Sequence, residues 1–271
     1  MSENSKSEIS FNQPQIMGIL NVTPDSFSDG GQFTQVDIAV RHAEQMVANG
    51  ADIIDVGGES TRPGAKPVTA HEEIARVVPI IEAIKPIAPQ ISIDTSKPEV
   101  MLAAVHAGAT MINDVRALTL DGALQAAAKL DVPVCLMHMQ GSPQTMQNAP
   151  SYHNPVLEVM AYLAQRVQIC EHNGIRRDNL LIDPGFGFGK SLEHNIELLK
   201  NLQQFQQMKL PVLVGLSRKS MLGQITGKEV DDRLAGSIAV ALISALKHAQ
   251  ILRVHDVAET VDAIKIAAAV Y

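Results

Sequence analysis

Short apolar runs rich in valine and isoleucine recur along the chain, each ending in glycine or a polar side chain. Eight can be read: Ile16–Leu20, Ile53–Val56, Ile91–Ile93, Met111–Ile112, Val134–Met137, Leu180–Ile182, Val212–Leu216 and Ile251–Val254. They are continuous instead of alternating, which is how a strand reads when both faces of a parallel sheet are covered. Helical spacing fills the intervals. Val36, Ala39, Val40, Ala43, Met46 and Val47 form one stripe closed by Asn49-Gly50; Val156, Val159, Met160, Leu163, Val167 and Cys170 form another closed by Asn173-Gly174. Thr69-x-x-Glu72 and Ser96-x-x-Glu99 have capping-box spacing, the second with Pro98 early in the helix. The segments 122–129, 193–208, 231–248 and 257–270 complete the helical set.

Eight strand–helix units with no break in composition predict an α/β fold, a single (β/α)8 TIM barrel whose active site lies at the C-terminal ends of the strands. An open doubly wound sheet is the competing architecture, and a count of eight strands disfavours it. The expected organisation is a polar, disordered tail over 1–13 followed by one barrel domain over 14–271. Two connections, Asn21 to Gln35 and Gly141 to Pro155, are long for a barrel. Such loops are mobile lids, binding loops or plain insertions.

Composition narrows the partners. Twenty-two basic residues against 29 acidic ones leave a net charge of −7, so no global basic field draws the chain to nucleic acid or to an anionic membrane. The N-terminus lacks a signal-like apolar stretch, and the longest apolar run, Ile238 to Leu246, is far too short to cross a bilayer. Cys135 and Cys170 lie in apolar segments and make no disulfide framework. A cytoplasmic location is the expectation.

A barrel gathers its chemistry at the strand ends, and these read Asn21; Asp55 with Gly57 to Arg62; Asp94; Asn113-Asp114; His138; Asp183 with a glycine-rich loop; Ser217 to Ser220; and Arg253 with His255-Asp256. One polar strand end means little, but eight converging on one rim form a site. Asp55, Asp94, Asn113 and Asp183 make a recessed acidic floor, costly to bury unless donors meet it. The flat edge of an amino-pyrimidine supplies parallel N–H donors; equally, Asp55 and Asp114 can be spent on barrel lysines or on capping helices. Arg62, Arg218, Lys219, Arg253 and His255 form a cationic set that suits anionic ligands, with Arg218 the readiest to be an ordinary surface charge. Asn21 offers a hard oxygen suited to magnesium held jointly with a substrate phosphate.

Other motifs fail. The stretch 183–191 ends in Gly-Lys-Ser like a P-loop, but the first required glycine falls on Pro184. No zinc-type Cys or His spacing and no nucleophile elbow occurs. His42, His71, His106, His172, His194 and His248 fall on predicted helices as surface or packing residues, and His138 has no assigned role.

Together GILNVTPDSFSDGG (18–31), DIIDVGGESTRPGA (52–65), ISIDTSKPEV (91–100), INDV (112–115), MHMQGSPQTMQ (137–147), LIDPGFGFGK (181–190), GLSRKS (215–220) and LRVHDV (252–257) resemble, in order, the dihydropteroate synthase family. The resemblance implies condensation of 6-hydroxymethyl-7,8-dihydropterin diphosphate with p-aminobenzoate to give 7,8-dihydropteroate and pyrophosphate. It implies that Asp94, Asn113 and Asp183, helped by Lys219, hold the pterin edge. Arg253, His255 and Asn21 would hold the diphosphate and its Mg2+, with Asn21 as the metal ligand. Thr61, Arg62, Pro63, Phe188, Lys219 and Ser220 would form the p-aminobenzoate pocket, where sulfonamides would compete. Asp94, Arg253, His255 and Lys219 carry the catalytic expectation, the segments 23–31 and 58–66 would close over the site, and a homodimer is the expected assembly. A pterin-binding methyl-transfer barrel would share the acidic floor but has no use for the diphosphate clamp; a non-catalytic paralogue would keep the barrel without turnover.

Overall fold

The computed structural model describes residues 13–22, 32–60 (32–34 by backbone alone), 65–141, 146 and 150–271. Eight parallel strands, β1 (Gln15–Asn21), β2 (Ile53–Gly57), β3 (Ile91–Asp94), β4 (Met111–Asp114), β5 (Val134–Met137), β6 (Leu180–Asp183), β7 (Leu213–Val214) and β8 (Ile251–Val254), pair in the order β6-β5-β4-β3-β2-β1-β8-β7. A bridge between Ile182 and Val212, with the Ile182 N–H donating to the Pro211 carbonyl at 3.0 Å, joins the two ends. The sheet is therefore the (β/α)8 barrel that the run of eight apolar segments predicts. The expected tail over 1–13 lies, apart from Gln13, outside the described residues.

Strand periodicity sorts each strand into an outward row, packed under the helices, and an inward row. Met17, Ile53, Met111, Cys135, Leu181, Leu213 and Ile251 meet inside the barrel as a separate apolar cluster. Counting two residues on from these positions brings Ile19, Asp55, Asn113, Met137, Asp183, Gly215 and Arg253 to the same inward side, and the strand register adds Ser92 and Asp94 on β3. On β2, β4, β6 and β8 the interior thus changes from apolar to polar within one inward step.

The outer layer holds α1 (Gln32–Ala48), α2 (Ala70–Ile84), α3 (Pro98–Ala107), α4 (Ala123–Leu130), α5 (Pro155–His172), α6 (Leu192–Lys200), α7 (Ser220–Thr226), α8 (Leu234–Leu246) and α9 (Val257–Val270). Thr69 caps α2 with the expected reciprocal pair of bonds to Glu72, at 3.2 and 3.0 Å. Five local expectations need correction. Ser96 does not cap α3: its hydroxyl donates to Asp114, and Lys97 stands at the cap position without a side-chain bond. The helix expected over 193–208 stops at Lys200, where the Asn201 amide turns back to the Glu197 carbonyl at 2.9 Å, and Leu202–Met208 continues as 3-10 helix. The segment expected from 231 begins as a 3-10 turn and becomes α-helical only at Leu234. The seventh strand is shorter than expected, and the unpredicted α7 follows it. His248 sits past the end of α8 with φ +66°, not on a helix.

The loop after β6 depends on its glycines. Gly185, Gly187 and Gly189 have φ of +69°, +79° and +63°, a region that L side chains rarely adopt. A Cβ on Gly185 or Gly189 would also run into the carbonyl oxygen of His138 or Gln140, at the end of β5. These glycines let the loop lie directly on its neighbour.

Candidate active site

The strand ends meet as expected. Arg253 reaches across the mouth, its Nε donating to Asp55 Oδ2 at 2.6 Å and its Nη2 to Asp94 Oδ2 at 2.8 Å. The Arg253 stem runs beside Gly215, just past β7, its Cβ and Cδ in ordinary contact range at 3.8 and 3.9 Å from the point where a Cβ would stand. Asn113 Nδ2 makes a longer bond of 3.3 Å to the same Asp55 oxygen. Asp55 is fully buried, and its Oδ1 has no hydrogen-bond partner among the described residues. Asp55 is thus a counter-ion for Arg253: it is ion-paired, as one of the open readings had it, but to an arginine and not to a barrel lysine.

The floor is acidic beyond what Arg253 neutralises. Burial pushes the Asp94 carboxyl up to about 7 against the pull of Arg253, and Asp55 adds to the rise. Burial also pushes Asp183 up to about 6, although it accepts the Gly185 N–H at 2.7 Å and feels Lys219 and Lys190. The Arg253 guanidinium loses hydration by burial, but Asp55 and Asp94 more than compensate and raise its pKa. Carboxyls poised near neutrality on the floor of an open mouth respond to whatever hydrogen-bond donors arrive.

Lys219 lies opposite. Its Nζ stands 4.1 Å from the centre of the Phe188 ring, a cation–π contact, while its stem passes the Cα of Gly187. Burial lowers this ammonium to about 8 even though Asp183 favours its charge. Ser220 is exposed at the start of α7. His255 Nδ1 lies 3.0 Å from Ser217 Oγ, which also accepts the His255 N–H at 3.2 Å. Arg218 is indeed a structural charge, forked onto Asp256 at 2.5 and 3.2 Å. Asp114 likewise serves the loop after β4, accepting the N–H groups of Arg116 and Leu118 at 2.8 and 2.7 Å. Thr61, Arg62 and Pro63, and the closing segment 23–31, lie outside the described residues.

Among the described residues no cluster of three or more His, Cys, Asp or Glu side chains could hold a metal. Asn21 is exposed at the end of β1, and its Oδ1 and Asp94 Oδ2 lie 3.5 and 3.8 Å from the position of a Cβ on Gly57. One amide oxygen beside a carboxylate fits a hard cation that brings most of its ligands with it, on a phosphate and as water.

Two networks escaped the sequence reading. Lys190 is 3% exposed, and its Nζ lies 2.9 Å from His138 Nδ1, 2.7 Å from the Gly185 carbonyl and 3.0 Å from the Phe188 carbonyl. His138 therefore has a partner, and burial together with Lys190 lowers its pKa to about 3. The resemblance to a P-loop is superficial: this lysine points into the protein, and the Gly185 and Gly187 N–H groups are used by Asp183 and Asn195. In the second network Lys97 Nζ bridges Glu59 at 2.7 Å and the fully buried Glu73 at 2.5 Å, while Glu59 also accepts the Val68 N–H at 2.9 Å. Lys97, Glu59 and Glu73 each stand among other polar residues in the sequence, which gives no hint of this network.

A family profile described as "Pterin binding enzyme" matches residues 17–255. The dihydropteroate synthase of Escherichia coli strain K12 is 53% identical over 259 residues, covering 95% of this chain and 92% of that one. The dihydropteroate synthase of Xanthomonas albilineans, solved with 4-aminobenzoic acid, superposes with a TM-score of 0.90 at 52% identity over 96% of this chain and 94% of that chain. The same enzyme in complex with 7,8-dihydropteroate gives a TM-score of 0.87 at 49% identity, over 96% and 95% of the two chains. The Yersinia pestis dihydropteroate synthase in a sulfonamide drug complex gives 0.90 at 50% identity, over 96% and 94%.

The Lys97 bridge yields a stability prediction. Lys97→Met leaves the Glu73 carboxylate buried without its counter-ion, at an expected cost of about 3–5 kcal/mol in urea unfolding. Adding Glu73→Gln should restore part of the loss; if the double variant is no more stable than the single one, the buried charge is not its cause.

Proposed function

The chain belongs to the pterin-binding enzyme family, among its dihydropteroate synthases, and on that premise we propose how the barrel mouth divides the reaction between two substrates. The reaction joins 6-hydroxymethyl-7,8-dihydropterin diphosphate to p-aminobenzoate and releases pyrophosphate. The observation that carries the division is the Arg253 guanidinium, bound at once to Asp55 and Asp94 below the lip.

Asp94, Asn113 and Asp183 hold the pterin edge, with Lys219 beside them. The ring's N–H donors reach an acidic floor that protein cations leave partly unsatisfied, so its best-bound form is the one facing ionised carboxylates. Arg253 and His255 orient the diphosphate, which adds phosphate oxygens to the acceptors around the guanidinium. Asn21 would hold Mg2+ together with the diphosphate, where the ion supplies charge stabilisation to the leaving group. Thr61, Arg62 and Pro63, with Phe188, Lys219 and Ser220, form the p-aminobenzoate pocket and the place where a sulfonamide competes.

An arylamine is nucleophilic as the neutral base, so the site needs no strong base to activate it. The difficult part is departure of pyrophosphate. Arg253 and His255 stabilise the charge that grows on the leaving oxygen, and preorganised cations of this kind act without reorganising solvent. The methylene left behind is cationic and conjugated with the pterin ring, and Asp94 is the carboxylate placed to stabilise it. The bond from the arylamine nitrogen to that methylene completes the transfer, the nitrogen then losing its proton.

No helix among the described residues is long and apolar enough to cross a membrane. We place the enzyme in the cytoplasm, as a homodimer through the face of α7 and α8 that exposes Ile225, Leu234 and Ile243. Sedimentation at micromolar concentration should give twice the chain mass; a monomer would remove that assembly.

Two further outcomes test the chemistry. With both substrates and magnesium present, Arg253→Lys keeps the charge but loses the fork, so pyrophosphate release should slow about 100-fold while pterin binding weakens less than turnover. An unchanged single-turnover rate would sink the leaving-group role. Pterin affinity should rise between pH 5.5 and 7.5 as Asp183 and Asp94 ionise through about 6 and 7, then decline as Lys219 loses its proton near 8. Calorimetry across this range checks it, and a flat profile contradicts the ionised floor.

A further inference from the structure

Lys190 and His138 have no part in the division of labour above, yet they form a wholly buried polar cluster against the pocket wall. The Lys190 ammonium holds the carbonyls of Gly185 and Phe188, which bracket Gly187, and anchors both to His138 on the neighbouring strand end. On the opposite side of the same loop lies Lys219. Its stem runs 3.3 Å from the point where a Gly187 Cβ would stand, and its ammonium sits on the Phe188 ring. The loop is a thin backbone layer with one lysine beneath it and another above. Asn195 and Tyr152 hold its flanks, accepting the Gly187 N–H at 2.7 Å and donating to the Gly189 carbonyl at 2.8 Å. Within that layer Phe186 is buried in the core and anchors one side of the loop, while the three glycines with positive φ carry no side chain, so bonds to the Gly185 and Phe188 carbonyls supply the remaining support for Phe188.

We propose that Lys190 is a positioning residue for the arylamine substrate: seated on His138, it fixes the Gly185–Gly189 loop so that Phe188 and Lys219 meet at the geometry the p-aminobenzoate pocket requires. The assignment rests on the proposed function of that pocket. His138 acts one step further back: its ring Nδ1 is the third close acceptor for Lys190 at 2.9 Å, and its own carbonyl is a longer one at 3.4 Å. The pterin floor depends on it less: Asp94 and Asn113 stand on β3 and β4, and Asp183, although it accepts the Gly185 N–H, is held by its own strand β6.

The test uses the whole 271-residue chain, with Lys190→Met, which keeps the stem and removes the donors, His138→Leu, which removes the ring acceptor, and His138→Gln, which restores a side-chain acceptor. Lys190→Met and His138→Leu should each raise KM for p-aminobenzoate at least tenfold and KM for the dihydropterin diphosphate less than threefold. His138→Gln should return the p-aminobenzoate KM to within threefold of the unsubstituted enzyme. Should Lys190→Met not fold, the two His138 variants decide by themselves. The proposal is overturned if the p-aminobenzoate KM is unchanged in a folded variant, if both KM values rise together, or if His138→Gln behaves as His138→Leu. The unsubstituted enzyme, assayed alongside, keeps the readings apart: if it fails to join the two substrates, the functional reading falls, whereas normal turnover with unaffected variants sinks only the role of Lys190.

Discussion

Burying carboxylates at the mouth of a barrel is the constraint from which the rest of this site follows. Asp55 is wholly enclosed and Asp94 nearly so, and an isolated carboxylate in such a place is untenable without donors. Arg253 supplies both with one planar fork, which a lysine could not do with the same geometry. Other strand ends close around that fork: Gly215 lies beside the Arg253 stem, Asn21 and Asp94 approach beside Gly57, and Asn113 turns its amide to Asp55. Even so, one cation does not balance the acids around it, and the carboxyl of Asp94 rests near neutrality. A ligand edge made of N–H donors completes what the folded chain leaves partly satisfied, so the cost of holding the floor becomes selectivity for that edge.

The glycine-rich loop makes the complementary point. A chain segment ending in Gly-Lys-Ser after a strand suggests a phosphate cradle, but a cradle needs its N–H groups turned outward and its lysine beside the anion. Here the N–H groups of Gly185 and Gly187 are satisfied within the protein, and Lys190 is sealed beneath the loop. The loop is used for its thinness, which lets it pack on the end of β5 and present Phe188. In the proposed reaction the anion therefore falls to side chains on other strand ends, Arg253 and His255.

How far the sequence reveals this depends on the range of the interaction. All eight strands were legible, because burial on both faces writes itself into consecutive residues. Even the convergence of Asn21, Asp94, Asp183 and Arg253 could be read, since closure of a barrel turns strand ends into neighbours. Local competition was harder to see. Ser96 has a capping-box partner three residues on, but Asp114 takes its hydroxyl, and Asn201 ends a helix whose apolar pattern continues. Partner choice was illegible. Arg253 finds Asp55 across 198 positions and Lys190 finds His138 across 52, and nothing near either residue announces the match. Arg218 and Asp114 show the opposite case, in which the plainer of two readings was the right one.

The step from scaffold to site is short. On each strand, two residues along the inward row span about 7 Å, and in that distance β2 passes from Ile53 to Asp55, β4 from Met111 to Asn113, β6 from Leu181 to Asp183 and β8 from Ile251 to Arg253. The apolar members lock together as one plug, and the parallel register carries that alignment upward to the polar members. A one-residue slip of a strand would turn its polar side chain out of the barrel altogether. The plug is therefore more than insulation. By fixing register on strands only a few residues long, it sets the height at which each acid, amide and guanidinium enters the mouth, and with it the plane in which a flat ring can lie.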